Sequence, residues 1–364
     1  MTGDRQSVKR VLKIVPAVVF VAAVAGFHLA ARAMGREYYL TQAIFTAYTA
    51  VVTLGLCLLM GYAGQVSFGQ GAFFALGGYA TAILTTRPAP VPPAPWDGWL
   101  AAAGVLVTRP DLYGVPQTVV TPGAAFAAAL ALTVLAAWAV GVPALRLRGH
   151  YLAMATLGFG LILYRLLLGS ALTGGADGIA AVPAWEVCRG LVISGRKAHR
   201  VANYYFAWGL TLTVWLLLQN LVGGRPGRAL RAIHDNETAA GVMGIDTAAA
   251  KLKVFILSAV LAAAAGSLMT FTSGGIGPSE AGAMKSVRYV ALVAVGGMMH
   301  LGGVLAATAV LTYLSLRGCF GSYDHAVFGA ILIAVVSLMP EGPRSLAGGL
   351  FRRGGGAPRK GGAP

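Results

Sequence analysis

Long apolar stretches, separated by short polar or basic segments, run along most of this chain. An α-helix rises 1.5 Å per residue, so about 20 apolar residues suffice to cross a bilayer. The intervals between charged residues reach that length repeatedly. The pattern predicts an all-α polytopic membrane protein with about eight transmembrane helices.

The predicted spans follow the charge-free intervals. Between Glu37 and Arg87 there is no charge at all, which leaves room for two spans with a turn at 61–64. The other predicted spans are 14–31, 123–142, 150–169, 204–222, 254–273 and 325–339.

The first stretch has two interpretations. Basic residues precede it and Ala31-Arg32-Ala33 resembles a cleavage site, as in a secretory signal peptide. Its apolar part is 18 residues long, whereas the apolar region of a signal peptide has roughly 7–15. An uncleaved first span is therefore favoured.

Composition excludes several classes of protein. Of the 364 residues, 57% are hydrophobic and 11% charged, against roughly 25% charged in a soluble domain. This excludes a soluble enzyme, a disulfide scaffold and a disordered chain. The net charge of +16 is typical of basic residues that flank spans on the cytoplasmic side, so we expect a lipid bilayer as partner and no nucleic acid.

Charge and span number together predict a topology. With a cytoplasmic N-terminus, the basic segments near 146–148 and 223–253 also fall on the cytoplasmic side. The basic C-terminal tail falls there too if the apolar interval 289–316 returns to its own side. That interval is interrupted by glycines and is too short for two full spans, so we predict a glycine-broken, re-entrant segment. The basic stretch 186–200 then lies outside, although basic residues generally favour the cytoplasmic side.

No sequence motif indicates that this chain binds a coupling ion or hydrolyses ATP. None of the 12 acidic residues lies in a predicted span, where a coupling ion would need one. Phosphate-loop, metalloprotease and nucleophile-elbow motifs are absent from the sequence. We therefore expect no enzymatic activity, cofactor or metal in this chain, and a permease driven by a partner. A stand-alone channel for a small polar solute such as urea, and a sodium symporter with carbonyl ligands, remain alternatives.

The polar segment 223–253 is the predicted docking site for that partner. Two runs, 228–233 and 237–243, have helix-forming composition, and Gly244 ends the second run. The alternative is an ordinary cytoplasmic loop held inside by its basic residues.

This segment resembles the coupling loop of ABC importer permeases, in which Glu-Ala-Ala is followed three residues later by Gly. Here Glu237-Thr238-Ala239-Ala240 and Gly244 fit that pattern with one extra residue. Further similar segments are GYAGQVSFGQGAFFALGGYATAIL (61–84), RLRGHYLAMATLGFGLIL (146–163), LTGGADGI (172–179), VALVAVGGMMHLGGVLAA (290–307) and MPEGPRSLAG (339–348). Together they resemble the branched-chain amino-acid permeases of ABC importers, specifically the M-type subunit of the paired permease. Urea and short-amide permeases share this superfamily.

The resemblance implies an importer for branched-chain or related amino acids in the bacterial cytoplasmic membrane. It implies a second permease subunit, two cytoplasmic ATPases that bind the ATP, and an extracytoplasmic solute-binding protein. The permease domain would cover 38–350, after a first span and flank at 1–37 and before a basic cytoplasmic tail at 351–364.

The resemblance also suggests site residues. The coupling residues would be Arg228, Arg231, Glu237, Ala239, Ala240 and Gly244. The translocation path would include Ser67, Gly69, Gln70, Thr173, Gly174, Gly175, Asp177, Gly296, Gly297 and Gly302. For the small residues the alternative is close helix packing, and for 173–177 it is turn formation.

Overall fold

The computed structural model describes residues 2–87, 105–110, 116–145, 150–188 and 190–338. The predicted basic tail 351–364 and the end of the predicted permease domain lie outside these ranges. Most of the described chain is helical. The helices are α1 Thr2–Ala33, α2 Tyr38–Cys57, α3 Gln70–Thr86, α4 Pro122–Ala144, α5 His150–Gly169, α6 Arg200–Gly223, α7 Arg225–Asp235, α8 Glu237–Val242, α9 Thr247–Ser273, α10 Ala283–Gly296, α11 Leu301–Leu316 and α12 Asp324–Leu338.

Short β-hairpins and strand pairs accompany the helices, so the fold is mostly helical and not purely α as predicted. Among the described residues there are three antiparallel two-stranded sheets. They pair β1 Leu106–Pro110 with β2 Pro116–Val120, β3 Ile179–Ala180 with β6 Gly275–Ile276, and β4 Trp185–Cys188 with β5 Leu191–Ile193. The sequence predicted only polar connections in these places.

Six helices of the described chain are long and apolar enough to cross a membrane: α1, α4, α5, α6, α9, and α2 together with a π-helical turn at Leu58–Tyr62. The helices α3, α10, α11 and α12 are shorter, with 14 to 17 residues. The predicted number of about eight counted α3 and α12 as full spans. The chain is a multi-pass membrane protein.

The centre of the bundle is formed by α2, α3 and α9, which pack closely because small residues face each other. A Cβ atom on Gly266 of α9 would lie 2.0 Å from the carbonyl oxygen of Phe74 in α3. Such contacts bring helix backbones together without large side chains between them. By contrast, α1 is largely exposed and lies at the periphery.

The predicted glycine-broken segment forms a helical hairpin of α10 and α11. Its break has Gly297 at φ +88°, a conformation that glycine adopts without a Cβ clash. Cys57 Sγ lies 3.1 Å from the carbonyl oxygen of Met298, and Gln42 Nε2 donates to Leu316 O at 2.9 Å. The hairpin therefore extends along most of α2, and its first helix begins before the predicted start at 289.

The basic stretch 186–200 is not a free loop. Trp185 of β4 packs its ring against Phe126 of α4 and Phe271 of α9, with ring centroids 5.1 and 5.3 Å away. The hairpin of β4 and β5 thus covers one end of these two helices.

Candidate translocation path and coupling surface

An irregular segment interrupts the bundle between α2 and α3. Residues 63–69 are not helical, yet Ser67 is completely buried. Side chains of neighbouring helices satisfy the freed backbone: Phe68 N donates to Thr156 Oγ1 at 3.0 Å, and Gly71 N donates to Ser286 Oγ at 3.1 Å. Non-helical backbone at membrane depth is tolerated where protein or a water-filled cavity surrounds it.

A cluster of polar side chains surrounds this segment. Gln70 donates through Nε2 to Ser258 Oγ at 3.0 Å, and Ser67 Oγ accepts from Gly69 N at 3.3 Å. Within the described chain, Gln70 Oε1 and both amide atoms of Gln65 have no hydrogen-bond partner. Buried amides normally find one, so a water molecule or a polar solute that reached this cluster would meet unpaired donors and acceptors. The predicted residues Ser67, Gly69 and Gln70 do come together here.

The predicted residues after α5 lie elsewhere. The Thr173 hydroxyl is directed to the carbonyl oxygens of Leu167 and Ser170, Gly174 and Gly175 have positive φ, and Asp177 is exposed. Their geometry is that of a turn. We call this side of the bundle the 170–178 end.

The length of α3 separates this turn from the Ser67–Gln70 cluster. Arg87, just after α3, donates through Nη2 to Ala171 O at 2.8 Å, whereas Gln70 is the first residue of α3. With 17 residues, α3 is about 25 Å long. The two groups therefore lie along one helix but not in one site.

The glycines of the hairpin differ in how much space surrounds them. A Cβ on Gly296 would lie 2.3 Å from Val304 Cα, and one on Gly303 would lie 2.2 Å from Gly296 O. At Gly302 the nearest atom would be Trp215 Cζ2, at 3.9 Å. Close approach of α10 and α11 thus depends on Gly296 and Gly303, whereas the surroundings of Gly302 leave room for a Cβ.

The two predicted helical runs of the segment 223–253 correspond to α7 and α8, and α9 begins within the same segment at Thr247. Pro226 lies in the first turn of α7, and α7 ends at Asn236, whose backbone is extended. The side chain of Asn236 caps α8 by accepting from Ala239 N at 3.0 Å. Gly244 then turns the chain at φ +82°. Asp246 caps α9 in the same way, accepting from Ala249 N at 3.0 Å.

The α7 side of this segment is anchored to the bundle. Leu230 and Ile233 are buried while Arg228 is exposed and Arg231 half-buried. His234 lies beside the irregular segment, since a Cβ on Gly64 would be 2.9 Å from its Nδ1.

The α8 side is anchored at one residue and otherwise open. Ala240 is buried, whereas Ala239 is exposed and Glu237 forms an ion pair of 2.5 Å with Lys251. At the end of α8, Val242 and Met243 are 84% and 82% exposed. Large apolar side chains this open, on a segment rich in charge, are typical of a docking surface. We call Val242 and Met243 the apolar knob, and this side the α7–α8 end.

Sequence reasoning did not identify the residues whose hydroxyl groups form hydrogen bonds with the irregular segment and the start of α3. Thr156, Ser258 and Ser286 are single hydroxyls in apolar helices, and no spacing marks them. It also placed Glu280 and Lys285 in a loop, whereas the structure packs them against α3 as an ion pair.

Membrane-length helices around buried, irregular backbone and unpaired amides define a multi-pass membrane transport protein of the discontinuous-helix type. The model of the family described as "Branched-chain amino acid transport system / permease component" matches residues 38–336, and the chain belongs to this family.

Curated relatives agree with this assignment. The high-affinity branched-chain amino acid transport system permease protein LivM of Escherichia coli is 28% identical over 82% of this chain and 68% of its own length. LivM of Salmonella typhimurium is 27% identical over the same shares. The permease protein LivH of Salmonella typhimurium is 23% identical over 84% of this chain and 95% of its own length. No solved structure matches this chain.

Proposed function

We propose that this chain is a membrane-spanning permease subunit of an ATP-driven importer for branched-chain or related amino acids in the bacterial cytoplasmic membrane. The observation that carries this proposal is family membership over residues 38–336, with relatives named as branched-chain amino acid permeases. ATP would be hydrolysed by partner subunits and not by this chain.

The α7–α8 end would receive the ATPase. The apolar knob projects from a short helix whose other face is fixed by Ala240, so a force applied to the knob is passed to the start of α9. The ion pair of Glu237 with Lys251 connects α8 directly to α9. Movement of the ATPases would thereby tilt the central helices, as alternating access requires.

Pairing with a second permease subunit follows from the relatives, since LivM and LivH are both permease components. A solute-binding protein would deliver cargo at the 170–178 end. In the proposed topology both termini and the α7–α8 end are cytoplasmic, because basic residues favour that side. The α10–α11 hairpin would then start and end toward the outer side, with its glycine break directed inward.

Within the bundle the solute would pass the Ser67–Gln70 cluster. Its unpaired amide atoms offer hydrogen bonds without a fixed charge, so the solute can be bound weakly and released. The exposed turn with Asp177 lies at the entrance and the α10–α11 break at the opposite end of the path.

Reconstitution tests the proposal. Vesicles that contain this chain with its partner permease, ATPases and binding protein are expected to accumulate leucine only when ATP is supplied. Accumulation of urea but not leucine would favour the short-amide alternative. Leucine uptake without ATP, by this chain alone, would favour a channel or symporter.

A further inference from the structure

An ion pair of Glu280 and Lys285 lies inside the helical bundle, where the sequence suggested a loop. Glu280 belongs to a single 3₁₀ turn, Pro278–Ala281, that connects β6 to α10, and Lys285 lies in the first turn of α10. Their side chains are in contact and are 19% and 27% exposed.

The depth of this pair follows from its neighbours. A Cβ on Gly71 would lie 3.3 Å from the carbonyl oxygen of Glu280. The preceding residue, Gln70, bonds to Ser258, which is the twelfth of the 27 residues of α9. The pair is therefore close to the middle of a membrane-length helix and beside the Ser67–Gln70 cluster.

Partly exposed charges at that depth do not face lipid, because charged side chains in hydrocarbon are costly and are found facing a bundle interior or a water-filled cavity. Ser279 and Met284, which flank the pair, are exposed in the isolated chain. This surface must therefore face the path or the partner permease. A partly buried ion pair adds little net stability, so stability alone does not account for it.

Two further features complete the site. The hydroxyl of Tyr79, a residue only 1% exposed, has no hydrogen-bond partner within the described chain and lies within electrostatic range of Glu280. Gly282, which precedes α10, offers no side-chain cap. The N–H of Lys285 donates to Gly282 O at 3.1 Å, so the N–H groups of Ala283 and Met284 are the ones left for an anion beside Lys285.

We propose that Glu280, Lys285, Tyr79 and the N-terminus of α10 bind the zwitterionic backbone of an α-amino acid during its passage. The ammonium group lies on the Glu280 carboxylate and the Tyr79 oxygen, and the carboxylate lies on Lys285 and the N–H groups of α10. Without solute the two side chains pair with each other. The solute exchanges one ion pair for two, so no charge is left uncompensated. This inference rests on the proposed function, because it assigns that function a site of contact.

Cysteine protection tests the site without relying on transport. Ser279→Cys serves as the reporter in the complete permease–ATPase complex in lipid nanodiscs, with Cys188 and Cys319 replaced by Ser and no binding protein present. Leucine is expected to slow its modification by a charged thiol reagent, in the nucleotide-free or the vanadate-trapped state. Leucinamide and 4-methylpentanoate, which each lack one of the two charges, should not protect. Equal protection by all three, or protection by leucine in neither state, overturns the proposal.

Variants distinguish a binding site from an ion pair that only stabilises the fold. Glu280→Gln and Lys285→Met should each raise the leucine concentration for half-protection by about tenfold or more, as loss of a charge-assisted hydrogen bond does. The exchanged pair Glu280→Lys with Lys285→Glu keeps the ion pair and should assemble with its partner subunits normally, as judged by size-exclusion chromatography, but should not regain protection by leucine. Full recovery of protection by leucine in the exchanged pair would show that Glu280 and Lys285 only stabilise the fold.

The outcome is distinguishable from failure of the proposed function. If the wild-type transporter accumulates leucine with ATP but leucine does not affect the reporter, this inference fails and the proposed function stands. If no amino acid is accumulated under any condition, the proposed function fails, and this site loses its basis.

Discussion

Replacement of Gly303 by alanine is expected to destabilise the α10–α11 hairpin. The new Cβ would lie 2.2 Å from the carbonyl oxygen of Gly296, whereas carbon and oxygen normally approach to about 3.3 Å. The helices must therefore separate by about 1 Å, and the obstacle is backbone that cannot rotate away. Overpacking of this kind costs about 1–3 kcal/mol, and alanine recovers about 0.5–1 kcal/mol as the better helix former. We expect a net loss of about 1–2 kcal/mol.

Gly302→Ala is the matched control, one position earlier in the same helix. Its Cβ would meet nothing closer than Trp215 Cζ2 at 3.9 Å, an ordinary contact in the apolar crevice between α1, α6 and α11. Only the gain in helix propensity remains, so stability should be unchanged or rise by up to about 1 kcal/mol. The stability of both variants is measured by heating the purified complex in one detergent and monitoring the loss of the folded complex by size-exclusion chromatography. Equal losses, or a larger loss at Gly302, would refute the close packing.

Three further substitutions test single contacts. Tyr204→Phe removes a 2.9 Å hydrogen bond to Val24 O, so hydrogen–deuterium exchange in α1 should rise by a factor matching about 1 kcal/mol; unchanged exchange would show that the bond does not hold α1. Asn236→Ala removes the cap of α8 and should lower coupled ATP hydrolysis, while Asn236→Asp keeps a capping oxygen and the activity; equal activity of both variants contradicts a role for the cap. Ser258→Ala leaves the Gln70 amide without its partner and should cost about 1–3 kcal/mol in thermal stability. Adding Gln70→Leu should recover part of that loss, and a further loss instead would contradict this.

Hydropathy predicted the apolar part of α9 but not the residue at which this helix begins. The predicted span 254–273 ends with α9 at Ser273, but α9 begins at Thr247. Its first turns contain Lys251 and Lys253, which a charge-free interval leaves out. The Asp246 cap determines where the helix begins, and caps act on backbone N–H groups whatever the hydropathy of the turn.

The irregular segment before α3 could not be located from sequence at the same accuracy. The turn was expected at 61–64, and the non-helical backbone extends to Gly69. Its stability depends on the hydroxyls of Thr156 and Ser286, which are 88 and 215 positions away from the groups they accept from. Local composition carries no signal of such contacts.

The coupling segment was the most predictable part of the site, because its signals are local. Pro226, Asn236 and Gly244 begin, divide and end the helices through backbone chemistry that each residue type imposes. The ion pair of Glu280 and Lys285 was missed for the opposite reason. A polar stretch between two apolar ones indicates a loop, and only packing against α3 shows that this one enters the bundle.

The measurement that tests the central claim most directly is ATP-driven leucine uptake with the apolar knob altered. The double variant Val242→Asp with Met243→Asp is compared with Met34→Asp, which changes an apolar residue that is 59% exposed on the connection between α1 and α2. Wild type and Met34→Asp should retain the ATPase on purification and accumulate leucine only with ATP, while the double variant should lose both properties and remain in the membrane. Leucine uptake that needs no ATP, or full ATPase retention and uptake in the double variant, would contradict the account.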